Sequence, residues 1–353
     1  MIFGSNHYVP VLKVKQGEKA ALHAVGAPLC PGITPFLEIV ERKNDKILSA
    51  HIDTSFKGLA FAVSHYTRCF IDTREIESDG PTAAQAVFTR AFSEGIIFTP
   101  VTGISRTTDV PVVLANSGNG IAIRLTRGEF ERGALQQELR TFMAVHRLDY
   151  AQVDLIIDLG PVEKMVPYGL RALASGFLNA VPDPLQWRTL TLSACAFPKS
   201  MSVVGRNSHS LVERMEWNVW HDDLYANRRV LSRLPSYSDC AIQHTKGVED
   251  FDFRTMQASA AIRYTLDRNW LLIKGVSTRG MPPSQQFPAL ATQLVRGPLH
   301  PNFAGIAHCQ GCACMNDAAR GASGLGSPGV WRRLGTIHHI TTVAHALTAL
   351  PWP

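Results

Sequence analysis

A closed ring of eight parallel strands wrapped by helices, a TIM-barrel-like (β/α)8 architecture of the α/β class, is what the patterning of this 353-residue chain calls for. Three observations predict it. Eight short apolar runs of strand length recur between residues 8 and 243. Amphipathic helical stripes separate most of them, and such alternation produces parallel sheets, because a crossover must return the chain before the next strand can run the same way. Charged residues also gather at one end of the runs, as in a barrel whose βα loops all open on one face. An open doubly wound sheet is the competing arrangement.

The first strand lies in YVPVLKV (8–14), followed by a helix in GEKAALHAV (17–25), and ITPFLEIV (33–40) is the second strand. Residues 43–68 fit helix or strand, and RCFIDT (68–73) is the third strand. In PTAAQAVFTRAF (81–92) Pro81 suits a first helical position, while Ala84, Val87, Phe88, Ala91 and Phe92 share one face. GIIFTPVTG (95–103) is the fourth strand. The segment VPVVLANSGNGIAIRL (110–125) reads as a hairpin around Asn116–Gly120, which leaves the fourth helix irregular before the fifth strand.

Leu135, Leu139, Phe142, Met143 and His146 stripe a helix ahead of VDLIIDLG (153–160). Leu170, Leu173, Ala174, Phe177 and Leu178 stripe another ahead of RTLTLSACAFP (188–198). A longer helix is expected near 208–228, then the eighth strand in YSDCAIQ (237–243). Residues 1–353 show no interdomain linker and are expected to form one barrel domain. Within it, residues 247–353 are expected to close the barrel and elaborate it, with a hairpin in AIRYTLDRNWLLIKG (261–275) and a Gly-, Cys- and His-rich tail.

Hydrophobic residues at 45% and charged residues at 18% describe a soluble globular protein with ample core material. No apolar run approaches the roughly 18–20 residues that span a bilayer. The opening MIFGSNHYVP lacks the basic-then-apolar pattern of a secretory signal, so a cytoplasmic protein without a membrane partner is expected. Seven scattered cysteines fit free thiols in a reducing compartment. The net charge of +6 tolerates an anionic partner, but no dense Lys/Arg run marks a nucleic-acid groove. Gly-x-Ser-x-Gly, His-Glu-x-x-His and Walker A sequences are missing, which removes several hydrolase classes.

Side chains two apart share a strand face. Lys13 and Lys15 end the first strand on one face, Glu38 ends the second, Asp72 the third, Arg124 the fifth and Asp158 the sixth. The opposite strand ends are comparatively apolar. Three cations and three carboxylates are thus expected to converge on one mouth, where they must pair or be hydrogen-bonded. Two readings are open. In the functional one, Arg124 and Lys15 hold a phosphate or carboxylate, while Lys13, Glu38, Asp72 and Asp158 supply acid/base, nucleophilic or metal-assisted chemistry. In the structural one, the same charges form an ion-pair ring that closes the barrel top.

The tail offers a second cluster. HCQGCACM brings together His308, Cys309, Cys312 and Cys314, and TIHHITTVAH supplies His338, His339 and His345. Thiolates with imidazoles are zinc ligands, so Cys309, Cys312 and Cys314 are zinc candidates; a small-residue helix whose cysteines pack as apolar groups is the alternative. GASGLGSPGVWRR (321–333) lacks the Gly-Lys-Ser/Thr ending of a phosphate loop and reads as a loop followed by a helix starting near Trp331. Arg332 and Arg333 beside it either reach an anion at the mouth or are solvated, and His338 and His339 are further candidates for binding that ligand. Glu216, between Met215 and Trp217, either faces the pocket or packs with the tryptophans. No particular cofactor is indicated.

Several phrases together resemble the bacterial and phage-linked "beta protein" family: YVPVLKVKQGE, PFLEIV, FIDT, IAIRL, LIIDLG and VWRRLGTIHHITTVAHAL, in that order across essentially the whole chain. The resemblance marks Lys13, Lys15, Glu38, Asp72, Arg124, Asp158, Trp331, Arg332, His338 and His339 as motif positions, without assigning roles. It implies a place in or against phage biology. The leading expectation is a barrel protein binding an anionic small molecule, such as a nucleotide or sugar phosphate, at its mouth. The alternative is a non-catalytic component of a phage-related system that binds nucleic acid or a partner protein.

Overall fold

The structure, a computed structural model, describes residues 2–246 and 259–352. The chain begins with β1 (Tyr8–Lys13), α1 (Gln16–Ala24), β2 (Phe36–Glu38), α2 (Leu48–Phe56), α3 (Leu59–Val63), β3 (Cys69–Asp72), α4 (Pro81–Ser93) and β4 (Phe98–Thr102). It continues through α5 (Val110–Ala115), β5 (Ile121–Thr126), α6 (Arg127–Glu131), α7 (Leu135–Val145), β6 (Val153–Pro161), α8 (Pro167–Ala180) and β7 (Thr189–Cys195). Then come β8 (Ser208–Glu213), α9 (Met215–Val219), β9 (Ser236–Asp239), β10 (Ser259–Thr265), β11 (Asn269–Ser277), α10 (Pro283–Val295), α11 (Gln310–Ala319) and α12 (Pro328–Ala349). Parallel ladders join β1-β2-β3-β4-β5-β6-β7-β9 and return to β1, so the eight strands close into a barrel.

Inward-facing side chains stack along the barrel axis. Phe36 and Phe70 are register partners at mid-height, with ring centroids 5.9 Å apart. Arg124 lies over Phe36 toward the C-terminal strand ends, and Arg68 lies over Phe70 toward the N-terminal ends, each 5.0 Å from its ring. Two cation–π contacts thus sandwich the aromatic layer between charges. The expectation that the N-terminal strand ends are apolar is overturned. Asp154 there accepts from Arg68 (2.6 and 3.1 Å), Arg188 (3.1 and 2.7 Å) and Thr189 (2.7 Å), all buried. Arg68 and Arg188 stand first in the segments RCFIDT and RTLTLSACAFP and just precede β3 and β7, so the charge at this end is visible in the sequence.

Three further expectations change. Residues 110–125 are not a hairpin: α5 is a six-residue helix, and β4 pairs with β5 in parallel. Pro111 suits its first turn, where no intrahelical N–H partner is needed, and the helix is too short to print a full apolar stripe. Residues 208–213 are a strand rather than a helix, pairing antiparallel with β11 at the edge of a three-stranded sheet ordered β10-β11-β8. Only Ser210 and Val212 of β8 are half-buried, so no hydrophobic alternation announces it. Phe92 is 82% exposed, off the buried face of α4 that Ala84, Val87, Phe88 and Ala91 form. The ambiguous 43–68 stretch holds α2 and α3.

A second apolar cluster packs Ile262, Tyr264, Leu271 and Ile273 of the antiparallel sheet against Phe287 and Leu294 of α10, Met315 of α11 and Trp331 of α12. The β10–β11 hairpin falls where the sequence placed it, while the expected segment start at Gly247 lies outside the described residues. Further along α12, Ile340, Val343 and Leu347 join the barrel's own cluster. One helix therefore contributes to both cores. No described helix is long and apolar enough to cross a membrane.

Candidate functional site

Glu38, Asp72, Arg124 and Asp158 meet at the C-terminal end of the barrel because each stands on an inward-facing position near the end of its strand. Arg124 is the hub. Its Nη1 donates to Glu38 (2.7 Å) and Asp72 (2.8 Å), while Nε and Nη2 both donate to Asp158 (2.9 and 2.6 Å). Lys13 at the end of β1 completes the ring by donating to Glu38 at 3.2 Å. Asp158 is further held by the Gly160 N–H at 2.8 Å, where the chain turns with φ of +64°, a conformation that suits glycine.

Asp72 sits deepest and is fully buried. Burial alone would push its carboxyl up, but Arg106 at 2.7 Å and Arg124 outweigh it and hold the group at about 2. Arg124 is raised well above its ordinary range. Burial opposes that shift, and Asp158, Glu38 and Asp72 overcome it. Arg106, in the loop after β4, also pairs with Asp109. The ring thus contains three cations as expected, but the third is Arg106 rather than Lys15. The signal for Arg106 lay in its place, since loops after barrel strands line the mouth.

Above this floor opens a cavity of about 680 Å³. Glu38, Arg124 and Asp158 form its base, and Arg74, Arg127 and Lys246, with Glu41 and Glu75, stand around it. A side chamber of about 210 Å³ shares Arg74, Arg124 and Thr126 and reaches Arg106. Thr126 and Glu129 form a capping box that starts α6 beside the opening. Lys13 lies against a small space of about 10 Å³ shared with Cys240 and His244. Arg74, Arg127 and Lys246 belong to loops or helix starts and carry no strand-face pattern.

Other sequence candidates lie elsewhere. Lys15 is the N-cap of α1, one residue past β1's neighbour Val14, so the two-residue face rule no longer governs it; its charge bears on Glu18. Arg332 on α12 is close enough to Glu18 and Arg263 to influence both. His339 is buried on the outer side of β9, where its Nε2 lies 2.9 Å from Asp239 and its Nδ1 lies 2.9 Å from the Thr265 hydroxyl. Burial lowers its pKa against the pull of the Asp239 carboxylate. His338 contacts Cys312, not the mouth. Cys309 and Cys312 stand together with His338, and Cys314 does not belong to that group. Glu216 borders a small space of about 10 Å³ between β6, β7, β9 and α8 instead of the large cavity.

Among solved structures, the chain is similar to a triosephosphate isomerase from Bartonella henselae at 9% identity, over 66% of this chain and 92% of that one, with a TM-score of 0.27. The barrel assignment rests on the strand ladders, not on that likeness. A search of curated proteins finds no match. The family model described as Beta protein matches residues 8–345, from the first barrel strand to the last turns of α12. The chain belongs to the Beta protein family.

Proposed function

We propose that the barrel mouth binds an anionic small molecule, of the phosphorylated or nucleotide class, and acts on it by acid–base chemistry. The observation that carries this reading is the cavity of about 680 Å³ with carboxylates at its base and Arg74, Arg127 and Lys246 around it, on the face where barrels of this kind work. The rim cations draw in the anion. Glu38 and Asp158 are the proton-transfer groups, with Lys13 and Arg124 fixing their orientation. Metal assistance fits less well, because the Arg124 guanidinium already fills the place between three carboxylates that a divalent cation would bridge.

One observation favours a second, non-catalytic reading. Arg124 commits four hydrogen bonds from its five N–H donors to the carboxylates, as a structural ring would. On that reading the protein serves a phage-related system by binding nucleic acid or a protein. Calorimetric titration with a panel of nucleotides and sugar phosphates separates the two. The triple variant Arg74→Ala/Arg127→Ala/Lys246→Ala is expected to keep its melting temperature and weaken binding at least ~10-fold, roughly the loss of 1.4 kcal/mol. Asp158→Asn is expected to bind yet lose turnover. Unchanged binding by the triple variant removes the anion site. Full activity of folded Asp158→Asn in a phage challenge removes the catalytic reading, and a steep salt dependence of DNA or RNA binding then supports the second.

A further inference from the structure

Away from the mouth, the start of α11 meets the middle of α12. Cys309 is the N-cap of α11, and its Sγ accepts the Cys312 backbone N–H at 3.3 Å. His338 Nδ1 lies 3.3 Å from Cys312 Sγ and 3.9 Å from Cys309 Sγ. The other ring nitrogen, Nε2, is 2.8 Å from the carbonyl oxygen of Thr265 at the end of β10. A carbonyl can only accept, so Nε2 carries a proton, which leaves Nδ1 as the nitrogen that, in the neutral ring, faces the two sulfurs with a lone pair. Tying down the distal nitrogen in this way is how proteins aim a histidine at a metal.

We propose that Cys309, Cys312 and His338 bind one zinc ion, which pins α11 and α12 to the end of β10. The spacing agrees with the chemistry. Zinc–sulfur and zinc–nitrogen bonds of roughly 2.3 and 2.0 Å at a tetrahedral angle place sulfur and nitrogen about 3.5 Å apart, and the two observed distances bracket that value. All three ligand atoms lie within 4.8 Å of one another. Cys309 is only half-buried, so the fourth coordination position opens on its side for water or for His308, whose ring is 5.1 Å from that of His338.

On binding, the metal takes the lone pair of neutral His338 and both thiolates, and the thiol protons leave to solvent. A Cys-x-x-Cys step at a helix start also suits a redox dithiol. An imidazole beside the sulfurs favours the thiolate and serves either role; the redox pair is told apart by the Cys309–Cys312 disulfide it would form, and Tyr264, whose hydroxyl lies 3.4 Å from Cys312 Sγ, adds a further polar neighbour. The ligand set differs from the cysteine-only trio that the sequence suggests, since His338 replaces Cys314.

The test is elemental analysis of untagged protein purified without chelators, followed by Zn(II) titration against a chromophoric chelator. About one zinc per chain is expected, falling to background in Cys309→Ser and His338→Asn and unchanged in Cys314→Ser. Should the ligand variants misfold, wild-type protein alone decides. Zinc must then slow alkylation of Cys309 and Cys312, mapped by mass spectrometry, relative to Cys314. No zinc uptake at stoichiometric excess, equal alkylation with and without zinc, or a native Cys309–Cys312 disulfide overturns the proposal.

Discussion

Arg124 reaches carboxylates from three other strands at once, and only a planar guanidinium with a fork of donors can do so; a lysine offers one point charge. Arg124→Ala leaves Glu38, Asp72 and Asp158 buried around a vacancy and is expected to destabilise the fold by about 3–5 kcal/mol in urea unfolding. A loss under ~1 kcal/mol would mean that solvent already compensates these charges. Glu216 is the opposite case. It is buried, its carboxyl oxygens find no side-chain partner among the described residues, and burial with the nearby Asp239 charge pushes it up from 4.5 to about 8, despite Arg214 and the backbone N–H groups of Glu216 and Ala196. Because the folded pKa is the raised one, its stability contribution is complete below about pH 4.5 and lost as pH climbs through about 8. The full span corresponds to roughly 5 kcal/mol. Glu216→Gln is therefore expected to match wild type near pH 4 and exceed it increasingly up to about pH 8, read as the difference between two urea-denaturation series. A constant difference with pH would refute the assignment. The mouth charges on strands are legible in the sequence because a period of two fixes their face. The place of Arg106 after β4 puts it near the mouth, but its partners, like those of Glu216 and the rim cations, are not legible, since nothing in a helix start or loop says which neighbour it will meet.

At the scale of elements, sequence reading works where a segment is long enough to repeat its pattern. The barrel strands and α4, α7 and α8 show themselves through apolar runs or stripes. A six-residue helix and a half-exposed edge strand cannot, which is why α5 and β8 escape it. Close helix packing escapes it for another reason, because a glycine inside a helix carries no record of what touches it. A Cβ on Gly335 of α12 would meet the Arg263 carbonyl oxygen at 2.7 Å and the Ile242 side chain at 2.8 Å. Helix propensity alone favours alanine there by about 1 kcal/mol. Contact with backbone outweighs that preference, so Gly335→Ala is expected to lower stability by about 1–3 kcal/mol, visible as a lower melting temperature. A rise would show that α12 can slide on β10 without cost.

For the molecule as a whole, the question is whether the barrel and the antiparallel sheet with its helices unfold as one body. The sequence shows no linker, and the structure adds a physical tie. α12 places Trp331, Leu334 and Ile337 in one core and Ile340, Val343 and Leu347 in the other. At their junction Asp239 of β9 accepts from Tyr8 (2.6 Å), Tyr237 (2.9 Å) and His339 (2.9 Å), and His339 in turn engages Thr265 of β10. Burial would push the Asp239 carboxyl up, but His339, through its electrostatic pull and hydrogen bond, then the charge of Arg214 and the hydrogen bond from Tyr8, hold it at about 2. Removing the imidazole strips a buried carboxylate of one partner and cuts the barrel's polar link to β10, each a cost of order 1–3 kcal/mol. If the two cores are one cooperative unit, His339→Ala lowers the urea midpoint of both by the same amount. Hydrogen exchange resolves this directly, because β6 reports on the barrel and β11 on the sheet. Their slowest amides are expected to share one opening free energy in wild type and to fall together in the variant. Protection lost from β11 while β6 keeps its own would separate the two cores, and with them the single-unit view of the chain.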